Sequence, residues 1–327
     1  MNNIFTLLKD KNFITPEQYK AIEAYQELGL FSLRNELLFL LYISILLFTS
    51  GVGVLIYKNI DTLGHTVLLV LLGLATLVSF YFCIKKAKGF TKQEVLFENP
   101  LYDYWVLFTA ILSCTFIGYF QYNLNLTATN YNITSLLSAL VCIAMAYYFD
   151  NKSVLVLGIT ALASFVGLSL QVQTFFANEL FHTSTLIFSG LLFGVFLLLW
   201  QRVIEVKGVK FHFSFVLLTF AFHTLALSCL SGIGNDDKIW FLYLLVLIAV
   251  MYFFYKKSLA LDAISWYVFV LFYGYIGLNI FIFKLLEILD ASQFYEFIIF
   301  LSPFYVISSI VLFIKMIKDF KKNVYVN

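Results

Sequence analysis

Ten stretches of the chain run for about the width of a bilayer with almost no charge. They lie at about 37–57, 66–84, 104–122, 133–149, 153–171, 184–201, 213–231, 239–255, 259–283 and 296–317. A hydrocarbon core about 30 Å thick is crossed by about 20 helical residues. Lipid offers no hydrogen bonds, so a spanning segment must satisfy its own backbone, which a helix does and an open strand does not. The expected fold is therefore all-α: a polytopic transmembrane bundle of about ten helices. Composition agrees, since 61% of the 327 residues are hydrophobic and 12% charged, against about 25% charged in soluble domains. Asp150-Asn151-Lys152 alone separates the fourth and fifth stretches, which predicts a tight helical hairpin. Lys256-Lys257 separates the eighth and ninth.

Lysine and arginine set the expected orientation. With the N-terminus in the cytoplasm, the inner segments hold 18 of the 21 basic residues and the outer loops only Lys58, Lys238 and Lys284. Both termini are then cytoplasmic. A net charge of +2 gives no reason to expect a nucleic-acid partner. The longest pieces outside the membrane, 1–36 and about 85–103, are too short for a catalytic domain. The first 34 residues are mixed and charged, unlike a secretory leader.

The N-terminal piece predicts a cytoplasmic helical hairpin over 1–36. Thr15-Pro16-Glu17-Gln18 has the form of a capping box, in which Thr15 and Gln18 each bond the other's backbone N–H. Ile14 and Tyr19 are placed as a hydrophobic staple, and Gly29 as a left-handed stop. Tyr19, Ile22, Tyr25 and Leu28 form a modest apolar face, which either packs on the protein's own membrane domain or receives a partner in a membrane complex.

The phrase Ala146–Ser153, AYYFDNKS, returns 105 residues later as Met251–Ser258, MYFFYKKS. The shift lays Tyr147 on Tyr252, Phe149 on Phe254 and Lys152 on Lys257, and brings the third stretch onto the seventh. Either a four-helix unit was duplicated in parallel orientation, or two cytoplasmic hairpins converged on interfacial aromatics followed by lysines. The expected plan is two helices, then four, then four. Residues 37–103 hold the first two spans and their loop, 104–208 and 209–317 the two four-helix units, and 318–327 a basic cytoplasmic tail.

FITPEQYKAIEAYQ, followed by YISILLFTSGVGVLIYKNIDTLGH, resembles the start of a widespread family of uncharacterised bacterial polytopic membrane proteins. That pattern has a Gly-x-Ile-Ser/Thr-x-Glu-Gln helical piece and a glycine-bearing first span ending in Ile-Ala-x-Asn-Trp. Gln18, Gly51, Gly53 and Asn59 fit it, whereas Asn12 stands for the Gly, Tyr57-Lys58 for Ala-x and Ile60 for the Trp. The resemblance covers about the first 85 residues and implies a bacterial inner membrane, with no activity attached.

Ionisable side chains inside spans usually mark sites, because they are costly there. His223 is the one expected near mid-membrane, Cys and Tyr aside, and no Asp or Glu is expected deep in a span, which disfavours carboxylate-driven ion transport. Thr219 shares its helical face, with Thr224 and Ser228 beside them. Asn279 is the other deep polar group, and Pro303 should bend the last span. His223, Thr219, Asn279 and Pro303 are the candidate cavity residues, and interhelical hydrogen bonding is the alternative use of this polar stripe. Gly190 and Gly194 form a close-packing GxxxG, with Gly274 and Gly277 a second small-residue pair. Cys83, Cys114, Cys142 and Cys229 read as buried apolar groups. Asp61 and His65, Glu179 and His182, and Asp236 and Asp237 read as solvated loop charges and not as a metal site. No catalytic residue and no cofactor is assigned.

Beyond the bilayer itself, the readings in order are a transporter-like or lipid-handling bundle for a lipid or lipophilic small molecule, an accessory or scaffold subunit docking through 1–36, and an intramembrane enzyme.

Overall fold

The structure is a computed structural model describing residues 15, 17–18, 34–58, 64–95, 101–123, 131–171, 184–235, 238–289 and 295–326. Each apolar stretch forms a helix: α1 (Arg34–Lys58), α2 (His65–Lys86), α3 (Leu101–Asn123), α4 (Tyr131–Phe149), α5 (Lys152–Gln171), α6 (Ser184–Lys207), α7 (Ser214–Asn235), α8 (Trp240–Ala260), α9 (Ile264–Ile288) and α10 (Tyr295–Val326). A 3-10 turn, Phe211–Phe213, leads into α7. Among the described residues there is no strand. Nine of these helices are long and apolar enough to cross a membrane, and Lys152–Gly167 of α5 forms a shorter apolar helix. The chain is a polytopic helical membrane protein.

Two compact units divide it, Met1–Asn59 and Ile60–Asn327. In the first, the Thr15 N–H donates to Gln18 Oε1 at 2.9 Å and the Gln18 N–H to Thr15 Oγ1 at 3.2 Å, which is the reciprocal capping expected. Ser44, Thr49 and Ser50 of α1 return their hydroxyls to carbonyls of their own helix at 2.7–2.8 Å. Gly51 and Gly53 lie inside α1. Ile14, Tyr19, Gly29 and Asn59 lie outside the described residues.

In the second unit consecutive helices pack side by side, with α7 in the middle against α5, α6, α8 and α9. Phe222, Phe254, Trp266 and Tyr273 from α7, α8 and α9 form its core. Phe222 and Phe254 stack with centroids 4.3 Å apart, and Phe222 meets the Tyr273 ring edge-on at 5.7 Å. The outward faces are apolar as well: Leu77 on α2, Leu192 on α6 and Phe304 on α10 are 67, 71 and 67% exposed. A face this apolar belongs in lipid.

The turn between α4 and α5 is set by Asp150 at φ 59°. The next N–H, of Asn151, closes onto the Ala146 carbonyl at 3.1 Å, and Asn151 Oδ1 caps α5 by accepting the Val154 N–H at 3.0 Å. The turn between α8 and α9 repeats this geometry, with Asp262 at φ 49° and the Ala263 N–H on the Ser258 carbonyl at 3.0 Å. It lies beyond Lys256-Lys257, where the sequence suggested a break. Helix α8 continues to Ala260, because lysines suit a helix's C-terminal end and do not stop it. The two turn residues are thus 112 positions apart, not 105. The difference of seven is about two helical turns, so Phe149 and Phe254 both remain buried while Lys152 opens a helix and Lys257 nears the end of one. Within α3–α6 the first helix meets the second and third, the second meets the third, and the third meets the fourth. The same pairings occur within α7–α10.

Candidate functional site

The polar stripe of α7 is tied across to α9. His223 Nδ1 lies 2.8 Å from the Tyr273 hydroxyl, with the Phe269 ring edge-on at 4.5 Å. Thr219 Oγ1 accepts from Trp266 Nε1 at 2.9 Å and donates to its own Phe215 carbonyl at 2.8 Å. Asn279 donates to the Tyr275 carbonyl at 2.7 Å and hydrogen-bonds Tyr305 of α10, which lies two residues past Pro303. Helix α10 runs continuously through Pro303. The four cavity candidates therefore form two separate knots, His223 with Thr219 on one side of α9 and Asn279 with the Pro303 region on the other.

Space opens between α2 and α3. A half-open groove of ≈ 330 Å³ is lined by Phe82 and Lys86 of α2 and by Leu101, Tyr102 and Trp105 of α3. Its walls are braced: the Tyr102 hydroxyl donates to the Cys83 carbonyl at 2.9 Å, and Trp105 Nε1 to the Ser79 carbonyl at 3.4 Å. Phe82 meets Trp105 edge-on at 6.1 Å. Lys86 is the last residue of α2, so the lining combines three aromatic side chains and Leu101 with a cation at the end of that helix.

Beside this end of the bundle sits a buried ionic cluster. Asp150 Oδ1 accepts from Lys210 Nζ and from His212 Nε2, each at 2.7 Å. Its Oδ2 accepts the Val95 N–H. The Asp150 side chain is 2% exposed and that of Lys210 0%. Lys210 also meets Thr91 Oγ1 at 3.5 Å and the Phe90 ring at 5.6 Å, and its backbone N–H donates to the Lys92 carbonyl at 2.6 Å. Asn151 Nδ2 donates to the Asp103 carbonyl in the first turn of α3 at 2.9 Å. At the rim, Lys152 pairs with Glu94 at 2.6 Å, both about half exposed. Three donors converge on one carboxylate, and its buried charge is paired as burial requires. The arrangement fastens three backbone segments together.

Sequence reasoning passed over Asp150, Lys210 and His212. Asp150-Asn151 between two apolar runs was legible as a left-handed stop followed by an N-cap; the pairing with Lys210 carries no local signal. Among the described residues no group of three or more His, Cys, Asp or Glu could hold a metal. Of the outer-rim charges, His65 bonds the Tyr119 hydroxyl at 2.9 Å, while Asp61, Glu179, His182, Asp236 and Asp237 lie outside the described residues.

Residues 6–155 match the model of a family described as "Predicted membrane protein (DUF2157)". That match contains Gln18, Gly51, Gly53 and Asn59, bears out the resemblance of the first 85 residues, and extends it through α4 to the start of α5. It takes in the groove and the Asp150-Asn151 turn and ends before Lys210 and His212. No curated protein and no solved structure matches the chain.

Proposed function

We propose that this membrane protein is a lipid-handling, transporter-like bundle that receives an anionic amphiphile from the cytoplasmic leaflet. The observation that carries the reading is the α2–α3 groove, with aromatic walls at Phe82, Tyr102 and Trp105 and an ammonium at Lys86. An apolar chain fits the walls, and a phosphate headgroup suits a lysine at the membrane interface. The volume is at the lower end of the range for small-molecule sites, which favours one chain over a whole diacyl lipid. The 18-to-3 split of basic residues supports placing this end, and both termini, in the cytoplasm. Hydrogen bonds between His223 and Tyr273, from Trp266 to Thr219 and between Asn279 and Tyr305 support their use as interhelical ties. The matching pairings of α3–α6 and α7–α10 support reading these as two copies of one unit. The alternative is a scaffold docking through residues 1–36, and the capped helix start at Thr15–Gln18 favours a defined structure there.

The test is native mass spectrometry of the full chain, purified in mild detergent with phosphatidylglycerol and phosphatidylcholine supplied equally. Retained phosphatidylglycerol is expected, falling about tenfold in Lys86→Ala/Trp105→Ala, the scale of one lost charge-assisted contact. Equal retention of both lipids, or no loss in the variant, refutes the reading. A stoichiometric protein partner with no retained lipid supports the scaffold.

A further inference from the structure

The two walls of the groove are joined through residues 87–100, and the described part of that connection is bound to the rest of the bundle at Thr91, Lys92, Glu94 and Val95. Val95 is held by Asp150, Lys92 by the Lys210 backbone, Thr91 by Lys210 Nζ and Glu94 by Lys152. On the far side of the connection, Asn151 holds the first turn of α3 through the Asp103 carbonyl, between groove residues Tyr102 and Trp105. Asp150 and Asn151 are one turn of chain and hold Val95 of the connection and the Asp103 carbonyl of the α3 wall. We propose that Asp150, Lys210 and Asn151 are positioning residues for the groove, fixing how α3 stands against α2 and so whether a lipid chain fits between Trp105 and Phe82. This rests on the lipid reading above.

Two physical features set this cluster apart from ordinary packing. A buried ion pair is a poor source of net stability, because desolvation offsets most of its attraction, whereas its geometry is strict. Both partners of this pair also hold left-handed backbone, Asp150 at φ 59°, which an aspartate tolerates, and Lys210 at φ 56°, which a lysine avoids. Left-handed backbone at two bonded residues is the kind of local strain that surrounding contacts must hold in place. Three of those contacts, from Asp150 to Val95 and from Lys210 to Thr91 and Lys92, run to the segment that spaces the groove.

The experiment uses the full chain in nanodiscs of phosphatidylcholine with about one fifth phosphatidylglycerol, a fraction high enough for an anionic surface. Hydrogen exchange over 88–105 and retained phosphatidylglycerol are measured for Lys210→Met, Asp150→Asn, the Asp150→Asn/Lys210→Met double variant and Lys86→Ala. Each single clamp variant is expected to raise exchange over 88–105 and lower retention, each about tenfold, since one charge-assisted contact is lost. The double variant removes the unpaired charge, so its thermal stability should recover while retention stays low. A role confined to stability would bring retention back with it. Wild-type exchange in both single variants, or wild-type retention in the double variant, overturns the proposal. If Lys86→Ala retains lipid while the clamp variants still loosen 88–105, the lipid reading falls and the fastening stands. Should the single variants fail to fold, the wild-type protein decides: fast exchange at the Val95 and Lys210 amides overturns the clamp.

Discussion

Four glycines in the α6–α9 core offer a graded test of how tightly these helices cross. A Cβ at Gly232 of α7 would stand 2.5, 2.6 and 2.7 Å from Cγ, Cδ2 and Cδ1 of Tyr243 on α8. Carbon atoms in contact sit about 3.5–4.0 Å apart, so about an ångström of displacement is needed. The obstructing atoms are the root of a ring that is 3% exposed, and a ring root moves only if its helix moves. Overpacking of this kind costs about 1–3 kcal/mol, against which alanine regains about 0.5–1 kcal/mol of helix preference. With the cost at the upper end of that range, because the ring root cannot yield, Gly232→Ala should destabilise by about 2 kcal/mol. At Gly194 of α6 the obstacles are Leu225 Cγ at 2.5 Å and Cδ2 at 2.7 Å, and a loss of about 1–2 kcal/mol is expected. At Gly277 of α9 the nearest atom is Leu247 Cδ2 at 2.6 Å, the free end of a side chain, so the loss should be below about 1 kcal/mol. A Cβ at Gly274, one turn away, meets nothing within 4 Å, and alanine there should stabilise by about 0.5–1 kcal/mol. The assay is unfolding of each variant by SDS titration in a common mixed micelle. A Gly232→Ala protein as stable as Gly274→Ala would refute the packing argument.

Two further predictions follow from named contacts. Cys114 on α3 and Cys142 on α4 have Sγ atoms 3.4 Å apart, close enough for diamide to oxidise them to an intramolecular disulfide with small adjustment. Two thiols should then be lost to maleimide after unfolding, with Cys83 and Cys229 still reactive; four reactive thiols would contradict the α3–α4 contact. For orientation, Lys88→Cys should resist a membrane-impermeant maleimide in intact cells while Lys238→Cys reacts, because the lysine bias places them on opposite sides; the reverse pattern would invert the assigned topology.

Helix positions were legible because lipid leaves the backbone one solution. Each uncharged stretch became a helix, and Thr15–Gln18 formed both capping bonds through three-residue chemistry that needs no tertiary context. The small-residue pairs were legible at three of their four positions: a Cβ at Gly190 or Gly194 would meet Ser228 or Leu225 of α7, respectively. Gly277 does receive a neighbour and Gly274 does not, since spacing places two residues on one helix face without saying which turn of that face meets another helix. The same limit displaced the second hairpin. Lysine pairs mark the zone where a helix leaves the bilayer, but the turn is closed by a residue that accepts left-handed backbone, and that residue was Asp262.

Depth in the membrane guided the choice of candidate residues. An ionisable residue inside an apolar run is conspicuous, so His223 drew notice, yet a tyrosine hydroxyl and aromatic rings already answer it. Lys210 sits in a short polar connection and looked like one more positive-inside charge. It is fully buried because Phe90 and Thr91 from another connection close over it, and its partner Asp150 is 60 residues away in sequence. Distance from water along the membrane normal can be read from hydropathy. Burial made by one loop folding over another cannot, because it depends on which helices are neighbours, and hydropathy leaves helix order and rotation open. A polar residue buried by pairing across connections is therefore invisible in a single sequence until neighbouring helices are known, and Asp150 with Lys210 is such a pair.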